Sequence, residues 1–113
     1  MDNEEVKKAF LALKTREDVA TILGIRERSL RYFLFKRRPE RLYKTFTIKK
    51  RNGTERQISA PCREWKTIQR KLADVLSCVY MPKVCAYGFI PGKSIVGNAT
   101  QHTKRNLVLN IDL

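Results

Sequence analysis

The sequence predicts an α+β fold, on three observations. Apolar residues recur at helical spacing over residues 4–38 and again over 62–80. Between them, YKTFTIKK and ERQISA flank Asn52-Gly53, the strongest short-range hairpin signal a sequence can carry. Last comes Leu107–Ile111, an apolar run of the kind found in a buried strand, followed by Asp112.

The elements follow in order. Val6, Ala9, Phe10 and Leu13 make one face of a first helix. Thr15 can cap a second, with Asp18 three positions on completing a short capping box. That helix carries Val19, Ala20, Ile22 and Leu23, and Gly24 breaks it. Arg26 to Phe35 reads as a third helix, with Leu30, Phe33 and Leu34 inward. Its Arg31, with Lys36, Arg37 and Arg38 just beyond, is left toward water or a ligand, and Pro39 ends the element or opens a connector. The stretch EDVATILGIRERSLRYFL also has the small residue, turn glycine and apolar residue (Ala20, Gly24, Leu30) of a helix-turn-helix. Any two short helices crossing steeply need the same three, so a basic helical hairpin stands beside a groove-reading module.

Residues 43–51 switch to period two, and Lys49, Lys50, Arg51 and Arg56 gather on the hairpin that ends at Pro61. Trp65, Ile68, Leu72, Val75, Leu76 and Val79 stripe the next helix, Trp65 as a core anchor rather than a base-stacking platform; Pro82 ends it. A turn-rich segment, Tyr87 to Pro91, leads to Gly92-Lys93-Ser94. Ser94 caps a last helix running through His102, with Ile95, Val96 and Ala99 inward.

The 113 residues are one domain's worth. The chain carries 24 Lys+Arg against 11 Asp+Glu, a net charge of +13, and such a field favours a polyanionic partner. No apolar run approaches the roughly 20 residues that cross a bilayer, which predicts no membrane partner. Met1 is followed by acids rather than a secretory leader, which predicts a cytoplasmic protein. Cys62, Cys78 and Cys85 form no C-x-x-C pair and His102 stands apart, so a zinc site is not expected. A phosphate loop is excluded too: its first glycine would fall at Tyr87, and Gly88 is one residue late.

Lys50 and Arg56 are the better phosphate ligands. They stand on the two arms of one hairpin, and an arginine fork plus a lysine point charge suits a phosphate group. Lys93 can reach a phosphate from a turn whose Gly92 lets backbone approach a strand. Asp112 can hold a divalent cation, but any partner carboxylate must lie beyond Leu113, so the chain is expected to be the front of a longer or split protein.

Four motifs carry a family resemblance: FTIKKRNGTERQISAP at 46–61, IQRKLADVL at 68–76, GFIPGKSIVGNATQH at 88–102 and LVLNIDL at 107–113. In this order and spacing the chain resembles the N-terminal part of a reverse transcriptase of the bacterial retron type, and more distantly of the group II intron type. The resemblance implies an RNA-directed DNA polymerase with a right-hand fold, present here in part. Residues 1–42 would be an N-terminal helical extension, 43–105 the fingers region with its basic β-hairpin, and 106–113 the first palm strand. It implies that Lys50 and Arg56 hold the triphosphate of the incoming nucleotide. Asp112 would be the first catalytic and metal-binding aspartate, with Mg2+ as cofactor. Gly92 and Lys93 would lie near the template or the nucleotide, with Gly88 and Phe89 alongside. The implied partners are a structured non-coding RNA and its RNA/DNA hybrid, deoxynucleoside triphosphates, the remainder of the polymerase chain and an effector protein, in a phage-defence role. Lys49 departs from the family, which often has proline there, and the second aspartate and Tyr-x-Asp-Asp turn would lie downstream. The polypeptide alone is expected to bind nucleic acid without polymerising. The alternative is a basic helix-turn-helix regulator or a non-catalytic nucleic-acid-binding module.

Overall fold

The computed structural model describes residues 2–113, which form two compact units, 2–80 and 81–113. In the first, helix α1 (Asn3–Leu11) begins at an Asp2 cap: the Glu5 amide donates to Asp2 and the Asp2 amide donates back to Glu5. Helix α2 (Arg16–Ile22) uses the Thr15/Asp18 box expected from the sequence. It ends in a Schellman turn, where the Ile25 amide donates to the Ala20 carbonyl at 3.0 Å and Gly24 takes a φ of +66°. This turn sends α3 (Glu27–Arg31) back across α2 and closes the core of Ala20, Leu23, Leu30 and Ile68, with Ile25, Phe33 and Trp65 packed on it.

The third helix does not continue regularly. Tyr32–Lys36 is a π turn, its widened ring closed by the Arg37 amide donating to the Tyr32 carbonyl at 2.9 Å. Phe33 stacks on Trp65 with ring centroids 5.8 Å apart. Leu34, expected inward, is instead 48% exposed, because the widened turn breaks the 3.6-residue phase that would have aligned it with Leu30. Pro39 opens the short helix α4 (Pro39–Leu42), and Leu42 is buried.

Strands β1 (Tyr43–Lys49) and β2 (Glu55–Pro61) form one antiparallel hairpin, from Tyr43 opposite Pro61 to Lys49 opposite Glu55. Alternation places Phe46, Ile48, Arg56 and Ile58 on one face and Tyr43, Thr47, Lys49 and Glu55 on the other. The reversal is not a two-residue turn with both Asn52 and Gly53 left-handed. The Gly53 amide donates to the Lys50 carbonyl, and only Gly53 has positive φ, at +86°. Asn52 works through its side chain, whose Oδ1 accepts from the Thr54 amide at 3.1 Å and from the Thr54 hydroxyl.

Helix α5 (Arg63–Val79) buries Ile68 and Val75, and α1 packs along it. Trp65 is the core anchor the stripe predicted, half-buried against the cluster.

In the second unit, α6 (Ile95–Thr100) is capped by Ser94, whose Oγ accepts from the Gly97 amide at 3.0 Å. It stops short of His102, and Ile95 and Val96 are 88% and 71% exposed rather than inward. A second correction concerns Leu107–Ile111: these residues form no strand and are exposed. A strand needs a neighbour to take its backbone hydrogen bonds. Among the described residues β1 and β2 pair only with each other, and the second unit holds no strand.

Candidate nucleotide-binding and nucleic-acid-binding surface

The hairpin is held at its base and free at its tip. Tyr43 opens β1, and its hydroxyl accepts two hydrogen bonds from α5: Trp65 Nε1 at 3.0 Å and Gln69 Nε2 at 2.8 Å. The Cys62 amide donates to the Leu42 carbonyl at 2.6 Å, one residue beyond the Tyr43–Pro61 pair. Both strands of the hairpin are therefore fastened where they meet the helical core.

At the other end stand Lys49, Lys50, Arg51 and Arg56, all exposed. None has a carboxylate within 4 Å among the described residues; Lys49 lies opposite Glu55 in register without an ion pair. Lys50 begins the turn, and its amide donates to the Thr54 carbonyl at 2.7 Å, which fixes its backbone. Arg56 lies on β2 opposite Ile48. An arginine fork and a lysine point charge with no carboxylate within 4 Å among the described residues are residue types that suit a phosphate group.

In the second unit, Lys93 has a local role that its sequence context did not disclose. Its ammonium donates to the carbonyls of Ala86 at 2.7 Å, Val84 at 2.8 Å and Lys83 at 3.3 Å, and lies 4.7 Å from the centroid of the Tyr87 ring. All three of its protons have carbonyl partners, so it staples the 83–93 turn. Gly92, with φ of +78°, reverses the chain just before it. A Cβ on Gly97 would meet the Tyr87 ring at 3.4 Å, so that ring, the lysine and α6 form one small cluster. Phe89 is fully exposed at a φ of +59°.

Asp112 is exposed and outside regular secondary structure. No group of three or more potential metal ligands occurs among the described residues. One carboxylate does not make a magnesium site, so these residues alone do not fit the ion. Two carboxylates elsewhere are held below their usual range. Asp18 is lowered chiefly by the amides of Lys14 and Thr15, and Glu64 chiefly by its own amide, then by the Cys62 thiol and Arg37. No helix among the described residues is long and apolar enough to cross a membrane.

No family model and no solved structure matches the chain. Curated relatives do. The chain is 39% identical over 102 residues to the Retron Mx65 reverse transcriptase of Myxococcus xanthus, covering 88% of this chain and 24% of that protein. It is 36% identical over 104 residues to the Retron Mx162 reverse transcriptase of the same organism, covering 89% of this chain and 21% of the relative. With the Retron Ec83 reverse transcriptase of Escherichia coli it shares 34% identity over 80 residues, 71% of this chain and 26% of that one. The chain thus spans about a quarter of the length of the relatives it matches. Over most of its own length it is a homologue of retron reverse transcriptases, and so a relative of the reverse transcriptase superfamily.

Proposed function

We propose that the chain is the front part of an RNA-directed DNA polymerase, with the 43–61 hairpin as its nucleotide-gripping fingers element. The observation that carries this reading is the 39% identity over 102 residues to a retron reverse transcriptase. The braced hairpin supports it chemically. Arg56 would fork onto triphosphate oxygens of an incoming deoxynucleotide and Lys50 would add a mobile charge. Asp112 would be the first palm carboxylate, waiting for acids supplied by the remainder of the polymerase, where Mg2+ would be held. Lys93 and Gly92 would keep the 83–93 turn in shape beside template or nucleotide, the lysine acting through its carbonyl contacts. The template would be a structured non-coding RNA and the product an RNA/DNA hybrid, in phage defence with an effector protein. Residues 1–42 would be an extension to the fingers.

The test is primer extension on an RNA template by the full-length gene product. Arg56→Ala should lower kcat/KM for deoxynucleotide some tens-fold, the equivalent of a charged hydrogen bond worth roughly 1.5–3 kcal/mol. Arg56→Lys should recover part of the loss. An unchanged kcat/KM would remove Arg56 from the site.

A second reading, a helix-turn-helix regulator, is favoured by one observation: Ala20 and Leu30 are buried on either side of the Gly24 turn. Preference decides between them. A regulator would bind a defined duplex DNA more tightly than structured RNA, and the polymerase reading expects the reverse.

A further inference from the structure

The π turn and the start of α4 build a basic concavity that neither the hairpin nor the second unit uses. Its lining is Tyr32, Lys36, Arg37, Arg38 and Arg41, around a volume of about 320 Å³. The chain path explains the clustering. The widened turn closes on Arg37, and Pro39 then starts α4 at once, with the Arg41 amide donating to the Arg38 carbonyl at 2.9 Å. Four cations from six consecutive positions are thereby folded around one hollow.

Of the four, only Arg37 has an acid within 4 Å among the described residues, Glu64 at 3.9 Å. Arg37 is further steadied over the Phe33 ring, 5.5 Å from its centroid. It is an oriented cation at one wall. Lys36, Arg38 and Arg41 are exposed, and no carboxylate within 4 Å competes for them. Tyr32 is the lining's aromatic. Its ring meets Phe33 edge-on, with centroids 5.6 Å apart, and the residue stays 49% exposed. A ring braced on one side and open on the other, beside unpaired cations, is the combination that grips an unpaired nucleotide: base on ring, phosphates on cations. A carboxylate-rich peptide would satisfy the charges but leave the ring unused. A duplex would offer phosphates but no free base face.

We infer that this hollow is a binding site for a single-stranded segment of nucleic acid, one base stacking on Tyr32 and the flanking phosphates on Lys36, Arg38 and Arg41. The site uses none of the hairpin's residues and does not depend on polymerase activity.

The experiment measures fluorescence anisotropy of a labelled single-stranded oligoribonucleotide of about ten residues against the whole chain, as a function of salt. The doubly substituted Arg38→Ala/Arg41→Ala chain should bind roughly ten-fold more weakly. Its slope of log K on log salt should be shallower by about 1.4, two phosphate contacts at about 0.7 each. Tyr32→Ala should weaken binding about five-fold or more with little change in slope, and Tyr32→Leu, which keeps an apolar contact to Phe33, should do the same. Lys8→Ala/Lys14→Ala removes the same charge elsewhere and should leave both quantities nearly unchanged. An equal loss in that control would show net charge alone at work and overturn the site. So would tighter binding of a duplex of equal length, competition by polyglutamate as strong as by RNA, or indifference to both Tyr32 variants in chains whose urea midpoints match the parent. None of these outcomes touches the deoxynucleotide kinetics of Arg56, so the two readings fail separately.

Discussion

Replacing Tyr43 by phenylalanine removes one oxygen, and with it the acceptor for both Trp65 Nε1 and Gln69 Nε2. These bonds tie the first residue of the hairpin to α5. Each is worth roughly 0.5–1.5 kcal/mol net, and water can reach this region, so the loss should be about 1–2 kcal/mol in all. With a urea slope of about 1–2 kcal/mol/M for a unit this small, the midpoint should fall by roughly 0.5–2 M. Trp65 is the chain's only tryptophan, so intrinsic fluorescence reports on the very contact that is broken. Gln69→Ala on top of Tyr43→Phe should cost less than Gln69→Ala alone, since its partner oxygen is already gone. An unchanged midpoint, or strictly additive losses, would refute the claim that the tyrosine hydroxyl fastens the hairpin.

Three further outcomes are expected. Gly53→Ala should destabilise by about 1–2 kcal/mol, because a Cβ there meets nothing within 4 Å and only the φ of +86° is strained; urea melts will read it, and Gly53→Asn should be milder. Asp18 keeps its charge to lower pH when folded than its ordinary value of 3.8, so the unfolded chain binds the proton first. The capping contribution should be complete above pH 3.8 and lost as pH falls through the lower folded value; the stability gap between the chain and Asp18→Asn should therefore close on acidification. Lys93→Met strips the donor from three carbonyls and should speed amide exchange at Ala86 and Lys93 roughly ten-fold, the low end for charged hydrogen bonds. Unchanged protection would mean that the staple is ornamental.

What could be read from the residues was whatever a local rule decides. The Thr15/Asp18 box, the Gly24 break, the Asn52-Gly53 reversal and the α5 stripe all follow from short-range chemistry, and each is present. Asp2-x-x-Glu5 obeys the same capping rule and is just as legible. Failures cluster where a second body decides. Apolar spacing showed that Ile95 and Val96 share a neighbourhood on α6, but not that anything covers them. Leu107–Ile111 has strand composition, and composition cannot supply the neighbouring strand that pairing requires. The π turn at Tyr32–Lys36 has no sequence signature in the hydrophobic pattern; it turned Leu34 outward and, with the Pro39 start of α4, gathered the cations of the basic hollow. For the candidate site, residue type and hairpin position make Lys50 and Arg56 candidates and no more, whereas the carbonyl cup around Lys93 was invisible without coordinates.

The most direct trial of the polymerase reading lies well downstream of the hairpin in sequence. Asp112→Asn in the full-length gene product changes one oxygen to nitrogen at an exposed position. It should abolish deoxynucleotide addition on an RNA template while leaving affinity for template and primer as it was. Extension at the parental rate by that variant would contradict the assignment of Asp112 as a palm carboxylate, and with it the central claim.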